Sequence, residues 1–484
     1  MRARPYVLVL AISALLLLAA CGGSSDSPSP NPVQRPQDPL AGAAQEQPAQ
    51  RDTLGQQVST FALDVDTASY GYARRTILEG RLPEPGQVRV EEFVNAFAQD
   101  YPQPADNGFA VHADGARLPG EQALIRFGLQ TRATDSSARR PANLTFVVDV
   151  SGSMAEPGRL DLVRDSLHTL VDQLMPGDQV AIVPFSDSAR MLIPMTPVSA
   201  SSGLHAAIDQ LVVEGSTNLE DGLITGYQEA SRAFRSVATN RVILLSDGLA
   251  NTGSTSWQTI LDRVAEHAAK QITLLSVGVG REYGDDLMEQ LADNGDGAAI
   301  YVSSLDQARK AFVEQLPATL DLRARDAKAQ VVFNPGVVES YQLLGYENRS
   351  LAPEEFRDDS RDGGEIGPGH SVTALYRVHL RPDATGQLAT ATVRWQDPDT
   401  RRPAETTRSI ETSALAADLW TATSPRFQID VLAASFAEYL RTREPFPGVT
   451  LDDLTSRPTR LATTTEDPAV TELADLITRT RALG

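Results

Sequence analysis

Cysteine is almost absent from this chain: of 484 residues, Cys21 alone carries a thiol. One thiol excludes an intramolecular disulfide, a cysteine-based zinc site and an iron–sulfur cluster. Lysine is nearly as scarce, with Lys270, Lys310 and Lys328 among 43 basic residues, against 63 acidic ones. The net charge of −20 leaves no basic face of the kind nucleic acid requires. The six histidines (His112, His168, His205, His267, His370 and His379) show no HExxH or other metal spacing. A zinc hydrolase is therefore not indicated, and their scatter suits structural or surface roles. No apolar run reaches the roughly 20 residues that span a bilayer. What the chain does have is length for two or three folded units and an apolar content of 41%, enough to build cores.

The apolar stretch 7–20 follows Arg2 and Arg4 and ends in Leu18-Ala19-Ala20-Cys21-Gly22. That is the layout of a secretory signal, and the Leu-Ala-Ala-Cys box resembles a bacterial lipoprotein signal. The resemblance implies that residues 1–20 are removed and that Cys21 is acylated as the mature N-terminus. The protein would then be exported and lipid-anchored to the cell envelope, on the outer membrane if the cell has two. Residues 21–58 hold Pro28, Pro30, Pro32, Pro36, Pro39 and Pro48 among Ser, Gln, Gly and Ala, and read as a tether.

Residues 59–140 read as an N-terminal region of helices (68–79, 90–98) and strands (109–112, 123–131). From 141 to 320, strands alternate with helices, the mark of an α/β fold with a doubly wound, mainly parallel sheet. Strands are expected at 144–148, 179–185, 242–245, 272–277 and 299–302, with 189–193 returning as a hairpin. Helices are expected at 160–174, 219–234, 257–270, 285–292 and 305–320. Residues 321–484 turn β-rich (329–333, 340–344, 372–380, 389–395), then helical at 426–440 and 467–480. Two-stranded sheets are marginal alone. A β-sandwich shared by both flanks, with the α/β unit inserted and the terminal helices packed on it or on the N-terminal helices, is therefore expected.

The first strand of the α/β unit ends in Asp149-Val150-Ser151-Gly152-Ser153. Gly215-Ser216-Thr217-Asn218 precedes a helix, and Ser246-Asp247-Gly248 ends a later strand. Ligand sites in open α/β sheets lie at the carboxyl edge, so Asp149, Ser151, Ser153, Thr217 and Asp247 should meet on one rim. Three hydroxyls and two carboxylates suit Mg²⁺ or Mn²⁺, or else Ca²⁺, over zinc. Five side chains exceed what an accessible octahedral ion takes directly, so some, Asp247 among them, are expected to act through water. With so few anions the ion would be barely neutralised. It should therefore attract an Asp or Glu carboxylate of a protein partner.

These three pieces, in this order, resemble the von Willebrand factor type A family, whose metal-ion-dependent adhesion site uses a D-x-S-x-S loop, a Thr and an Asp. The resemblance covers roughly 141–320 and implies metal-dependent adhesion. The flanks, through Ser59-Thr-Phe-Ala-Leu-Asp-Val-Asp-Thr-Ala-Ser-Tyr70, Leu344-Gly-Tyr-Glu-Asn-Arg349 and Gly369-His-Ser-Val-Thr-Ala-Leu-Tyr376, resemble one subfamily of bacterial type A lipoproteins. It has its own N-terminal region and a C-terminal domain with no assigned activity.

Two decoys compete. Asp64-Val65-Asp66-Thr67 mimics the loop of Mg-dependent haloacid-dehalogenase-type phosphatases, with Lys270 and Asp285-Asp286 available as helpers. It lies some eighty residues before the α/β unit, so Asp64 and Asp66 are instead expected to cap the helix that follows. Gly278-Val-Gly280-Arg-Glu-Tyr-Gly284 is one residue too long for a dinucleotide fingerprint, so no nucleotide is expected. No nucleophile–base pair is visible. A binding protein is favoured over an enzyme, and an envelope scaffold with a purely stabilising metal is the remaining alternative.

Overall fold

A computed structural model describes residues 57–63, 65–133, 140–247, 257–280, 285–295, 297–302, 312, 322–359, 363–398 and 400–483. The signal segment with Cys21, most of the tether, Asp64 and, apart from Phe312, the helix expected at 305–320 lie outside them. The α/β unit runs β4 (Ala142–Asp149), α3 (Leu160–Gln173), β5 (Gln179–Phe185), β6 (Ile193–Pro197), α4 (Ser201–Ile208), α5 (Leu219–Arg232), β7 (Thr239–Ser246), α6 (Trp257–Ala268), β8 (Ile272–Val279), α7 (Asp285–Asn294) and β9 (Ala298–Val302). Its sheet has the order β6-β5-β4-β7-β8-β9, parallel except for the edge strand β6.

Helices on both faces bury β4 and β8 along their whole length, which is why these strands read as continuous apolar runs. Leu160, Val163, Leu167, Leu170 and Val171 of α3 supply one covering stripe. On the other face Gly226 of α5 lies directly on Val147, so no Cβ fits there. The hairpin after β5 is present, but its second strand starts at Ile193, not at 189. The short helix α4 gave no periodic signal.

The flanks supply β1 (Val58–Ala62), α1 (Ala68–Leu78), α2 (Val90–Asn95), β2 (Phe109–Leu118) and β3 (Gln122–Thr131) before the unit. After it come β10 (Ala324–Phe333), β11 (Val338–Leu344), β12 (Gly364–Ile366), β13 (Ser371–Leu380), β14 (Gln387–Gln396), β15 (Pro403–Glu411) and β16 (Leu415–Ala416). The chain ends in α8 (Pro425–Thr442), α9 (Leu451–Thr465) and α10 (Pro468–Leu483). Two sheets form, β1-β10-β14-β15 with β12 on β10, and β11-β13-β3-β2-β16. Each mixes strands from before and after the α/β unit: Phe61 of β1 pairs Ala329 of β10, and Phe127 of β3 pairs Ala374 of β13. Phe61, Val331 and Val393 of one sheet and Ile125, Phe127 and Tyr376 of the other share one core. A second core joins α1, α2 and the three terminal helices to the outer face of the second sheet through Leu124 and Leu375.

Gly128 in β3 shows how tightly this half is packed. The Tyr101 ring lies across it, with its hydroxyl 3.0 Å from Thr373 Oγ1 and its face stacked on His112 at 5.3 Å. Thr373 and His112 are the cross-strand neighbours of Gly128, so the ring fills the gap the glycine leaves. A Cβ at 128 would overlap the ring. Gly128→Ala is expected to lower stability by about 1–3 kcal/mol through this overpacking, read as a lower urea midpoint. An unchanged midpoint would mean the ring shifts freely.

Candidate metal site at the carboxyl edge of the sheet

The chain leaves β4 and crosses to β5 on one side, while β7 lies on the other, so the end of β4 is the switch point of the sheet. Asp149 is the last residue of β4 and is 0% exposed. Its Oδ1 accepts the Ser151 N–H at 2.9 Å and its Oδ2 the Ser246 hydroxyl at 2.7 Å. Burial pushes the Asp149 carboxyl up to about 6; hydrogen bonds from Ser246 and Ser151 pull it back, and the nearby Asp247 charge adds to the rise.

Ser151 Oγ and Ser153 Oγ stand 3.1 Å apart in the turn after β4. The loop carrying Thr217 is clipped to this turn. The Gly152 N–H donates to the Gly215 carbonyl at 2.9 Å, the Glu214 N–H to Val150 at 2.6 Å and the Asn218 N–H to Ser186 at 2.7 Å. The Asn218 side chain then caps α5 at Asp221 N, which places Thr217 buried at the entry to that helix. Asp187 and Glu214 on the outer rim are engaged elsewhere. Asp187 accepts the Ser216 N–H at 3.1 Å and its hydroxyl, which hold it below the usual carboxylate range, and Glu214 pairs with Arg190 at 2.8 Å.

Asp247, 0% exposed, lies one residue beyond β7. Its Oδ2 accepts Arg159 Nη1 at 2.6 Å, and the same nitrogen donates to the Ser153 carbonyl at 2.9 Å. Arg159 thus ties the D-x-S-x-S turn to the end of β7. Its side chain is packed against Gly280, whose φ is +98° and where a Cβ would sit 2.7 Å from Arg159 Nε. The Gly280 carbonyl in turn accepts Arg75 Nη1 of α1 at 2.9 Å, and Arg75 rests 4.4 Å over the Tyr301 ring. Sequence reasoning missed Arg159 and Ser246. Ser246 adjoins a named residue, but nothing local marks Arg159, six residues past Ser153, as the partner of Asp247, which lies 88 residues further on.

The donor set fits a hard divalent cation. Among the described residues no three His, Cys, Asp or Glu form a metal-holding group, so any ion here must be held largely by hydroxyls. Two oxygens on adjacent corners of an octahedron with bonds of about 2.1 Å lie roughly 3.0 Å apart. The two hydroxyls, a hydrogen-bonded pair 3.1 Å apart, lie close enough to turn toward a common ion.

The decoy aspartate does something else. Helix α1 has Thr67 as its N-cap with no side-chain cap bond, so Asp66 does not cap it. Asp66 is buried instead against β9, where Oδ1 accepts the Ala299 N–H at 3.2 Å. It serves as a tie between the flank and the α/β unit, and the phosphatase reading finds no support there.

The sequence model described as von Willebrand factor type A domain matches residues 143–315, the span whose strand order and rim have just been described. Residues 143–315 form a von Willebrand factor type A domain. A model described as von Willebrand factor matches 43–125, and one described as the C-terminal domain of the uncharacterized protein YfbK matches 318–483. The chain is homologous to YfbK of Escherichia coli (strain K12), at 34% identity over 371 residues, covering 70% of this chain and 64% of YfbK. Inter-alpha-trypsin inhibitor heavy chain H4 of Bos taurus is 28% identical over 217 residues, 42% of this chain and 24% of that one. The chain therefore spans less than two thirds of the length of these curated relatives. Among solved structures, a von Willebrand factor type A protein from Catenulispora acidiphila aligns over 78% of this chain and 91% of its own, at 15% identity and a TM-score of 0.46. Proteins with a type A domain mediate protein–protein interactions, often through a divalent metal, and the matching family models indicate no enzyme family.

Proposed function

We propose that this protein is a lipid-anchored envelope binding protein that docks a protein partner through a divalent cation, Mg²⁺ or Mn²⁺. Asp149, Ser151, Ser153, Thr217 and Asp247 would hold the ion, some of them through water. One observation carries the reading: of the two buried carboxylates at the rim, Asp247 is already paired with Arg159, which leaves Asp149 as the main anion. A divalent ion held by one uncompensated carboxylate and neutral hydroxyls keeps about one positive charge. It therefore favours a further carboxylate from outside, an Asp or Glu of the partner. The chain's net charge of −20 slows an acidic partner at a distance, with screening over about 8–10 Å, and the ion supplies local attraction.

The anchor would be Cys21. Two or three acyl chains give stable attachment where one gives only marginal binding, and Cys21→Ala is expected to block lipidation and processing at the lipoprotein signal. A Cys21→Ala protein that is still processed and membrane-bound would remove the lipid anchor from the proposal.

The test of the docking function is calorimetric titration with Mg²⁺ and Mn²⁺, followed by capture from envelope extract with and without EDTA. Wild type is expected to bind one ion and to retain a partner only without EDTA. Asp149→Ala and Thr217→Ala should lose both while remaining folded. A partner retained equally in EDTA and by Asp149→Ala would show that this rim is not the functional surface. Metal binding that raises stability but retains no partner would leave the scaffold reading in its place.

A further inference from the structure

Two histidines outside the metal rim face one another across the seam between α3 and α4. Leu167 and Val171 of α3 and Leu204 and Ile208 of α4 turn into the core of the α/β unit. That leaves His168 and His205 at the solvent edge, each side chain 29% exposed. The ring planes are 15° from parallel, and the two Nδ1 atoms are 2.7 Å apart. This is hydrogen-bond distance, too short for stacked faces, so the rings meet at their nitrogen edges. The other nitrogens are taken crosswise. His168 Nε2 lies 3.2 Å from Oδ1 of Asp209, just past the end of α4, and His205 Nε2 lies 3.2 Å from Oδ1 of Asp172 in α3. Each helix thus offers a His followed four residues later by an Asp on the same face, and each His reaches the Asp of the other helix.

The hydrogens do not balance in this arrangement. A neutral imidazole has one N–H and one lone pair. With both Nε2–H groups donated to carboxylates, both Nδ1 lone pairs point at each other. Moving a hydrogen to Nδ1 turns a bare Nε2 lone pair toward a carboxylate instead. Every neutral arrangement therefore leaves two acceptors facing, and a cation between the Nδ1 atoms relieves this. A shared proton brings one positive charge, whereas a divalent ion matches both carboxylates. A carboxylate on the far nitrogen is also the usual support of a metal-bound histidine, because it fixes the tautomer and raises the basicity of the ligand. Imidazoles suit zinc, nickel and copper, while Mg²⁺ prefers oxygen. Nitrogens bound at about 2.0–2.1 Å around a tetrahedral zinc lie roughly 3.3 Å apart. The rings need to part only by about 0.6 Å from their present 2.7 Å, and their exposed edges leave room for it.

We propose that His168 and His205 form a second metal site, for a divalent transition ion of the zinc class. Each Nδ1 is a ligand, water fills the remaining positions, and Asp172 and Asp209 support the rings from outside the coordination sphere. The ion clips the short helix α4 to α3. No local ligand spacing reveals the pair, because its members lie 37 residues apart on two helices. The site is independent of the metal rim, and so is its test. The full chain would be titrated by calorimetry with Zn²⁺, Ni²⁺ and Cu²⁺ in excess Mg²⁺, which keeps the rim out of play. One saturable site is expected. His168→Ala and His205→Ala should each weaken it at least tenfold, and Asp172→Asn and Asp209→Asn about tenfold each. Asp149→Ala should bind as wild type does. Zinc should also raise the urea midpoint of wild type and not that of His168→Ala, since the two helices separate on unfolding. All four positions reach solvent, and a cooperative urea transition in EDTA checks that each variant folds. Nickel or copper bound in preference to zinc, and lost in the same variants, would assign the ion and uphold the site. No saturable binding of any of the three ions would overturn the proposal. So would histidine variants that bind like wild type, or binding that disappears in Asp149→Ala.

Discussion

Arg126→Met is expected to lower the unfolding free energy by about 3–5 kcal/mol, the usual cost of leaving one partner of a buried ion pair alone. Arg126 lies in β3 and is nearly fully buried. Its Nη1 donates to Asp430 Oδ2 of α8 at 2.8 Å, while Nε and Nη2 grip Asp114 of β2 at 2.9 and 2.6 Å. The rings of Tyr101 and Phe427 lie 5.2 and 5.0 Å from the guanidinium. Asp430 is 0% exposed, and its other oxygen accepts Gln99 Nε2 at 2.6 Å. Without Arg126, Asp430 keeps its burial and loses its cation. Asp114 is half-exposed, so water can take over there. The double variant Arg126→Met/Asp430→Leu should recover most of the loss, because a buried pair is close to break-even against apolar residues of similar size. Urea unfolding of the three proteins decides it. Losses that simply add would show that the two residues do not act as a pair.

That pair was open to sequence reading in principle. Arg126 interrupts the run Ala-Leu-Ile-Arg-Phe-Gly-Leu, and Asp430 interrupts Phe-Gln-Ile-Asp-Val-Leu-Ala-Ala. A charge inside a largely apolar, buried stretch needs a buried partner, and these have opposite signs. The elements of the α/β unit were legible because its buried parallel strands leave short apolar runs and its one-sided helices leave a 3.6-residue period. The elements that escaped were those whose burial is partial or whose composition misleads. Helix α9 contains Pro458 and a run of threonines, and is held by the Thr450–Asp453 capping box and by Leu454 and Leu461 facing the core. Strand β15 is an exposed edge with Ile410 as its buried residue, so tertiary pairing with β14 rather than its own pattern makes it a strand.

The candidate site was legible to the extent that its residues adjoin strand and helix ends. Asp149, Ser151 and Ser153 lie on one turn, and backbone bonds bring in the Thr217 loop. The electrostatic state of the site was not legible, because it depends on Arg159 arriving from the start of α3 and packing on Gly280. The link continues through the Gly280 carbonyl to Arg75 of α1. The flanking half thereby helps to set the position of the group that cancels Asp247. No spacing rule carries that information.

Asp149→Asn is expected to reverse its effect on stability according to whether metal is present. In EDTA the variant should be the more stable protein. A carboxyl held at about 6 by burial, against an ordinary 3.8, carries a charge penalty of about 3 kcal/mol at pH 8. Asparagine keeps the acceptor for the Ser151 N–H and can donate to the Ser246 hydroxyl, so it removes the charge without orphaning either neighbour. The sign can be checked through pH. The unfolded chain releases this proton near pH 3.8 and the folded chain near 6. Rising pH therefore lowers wild-type stability relative to the variant across that window, and the gap stays constant above it. In saturating Mg²⁺ the order should invert. An ion at a thousand times its dissociation constant stabilises wild type by about 4.1 kcal/mol, more than the charge penalty, and it gives the variant nothing once the main anion is gone. Urea midpoints of both proteins, in EDTA and in Mg²⁺ at pH 5 and pH 8, test all three statements. Equal midpoints in EDTA at pH 8 would mean that the Asp149 charge is already compensated by the protein. Equal gains from Mg²⁺ would place the ion somewhere other than the end of β4.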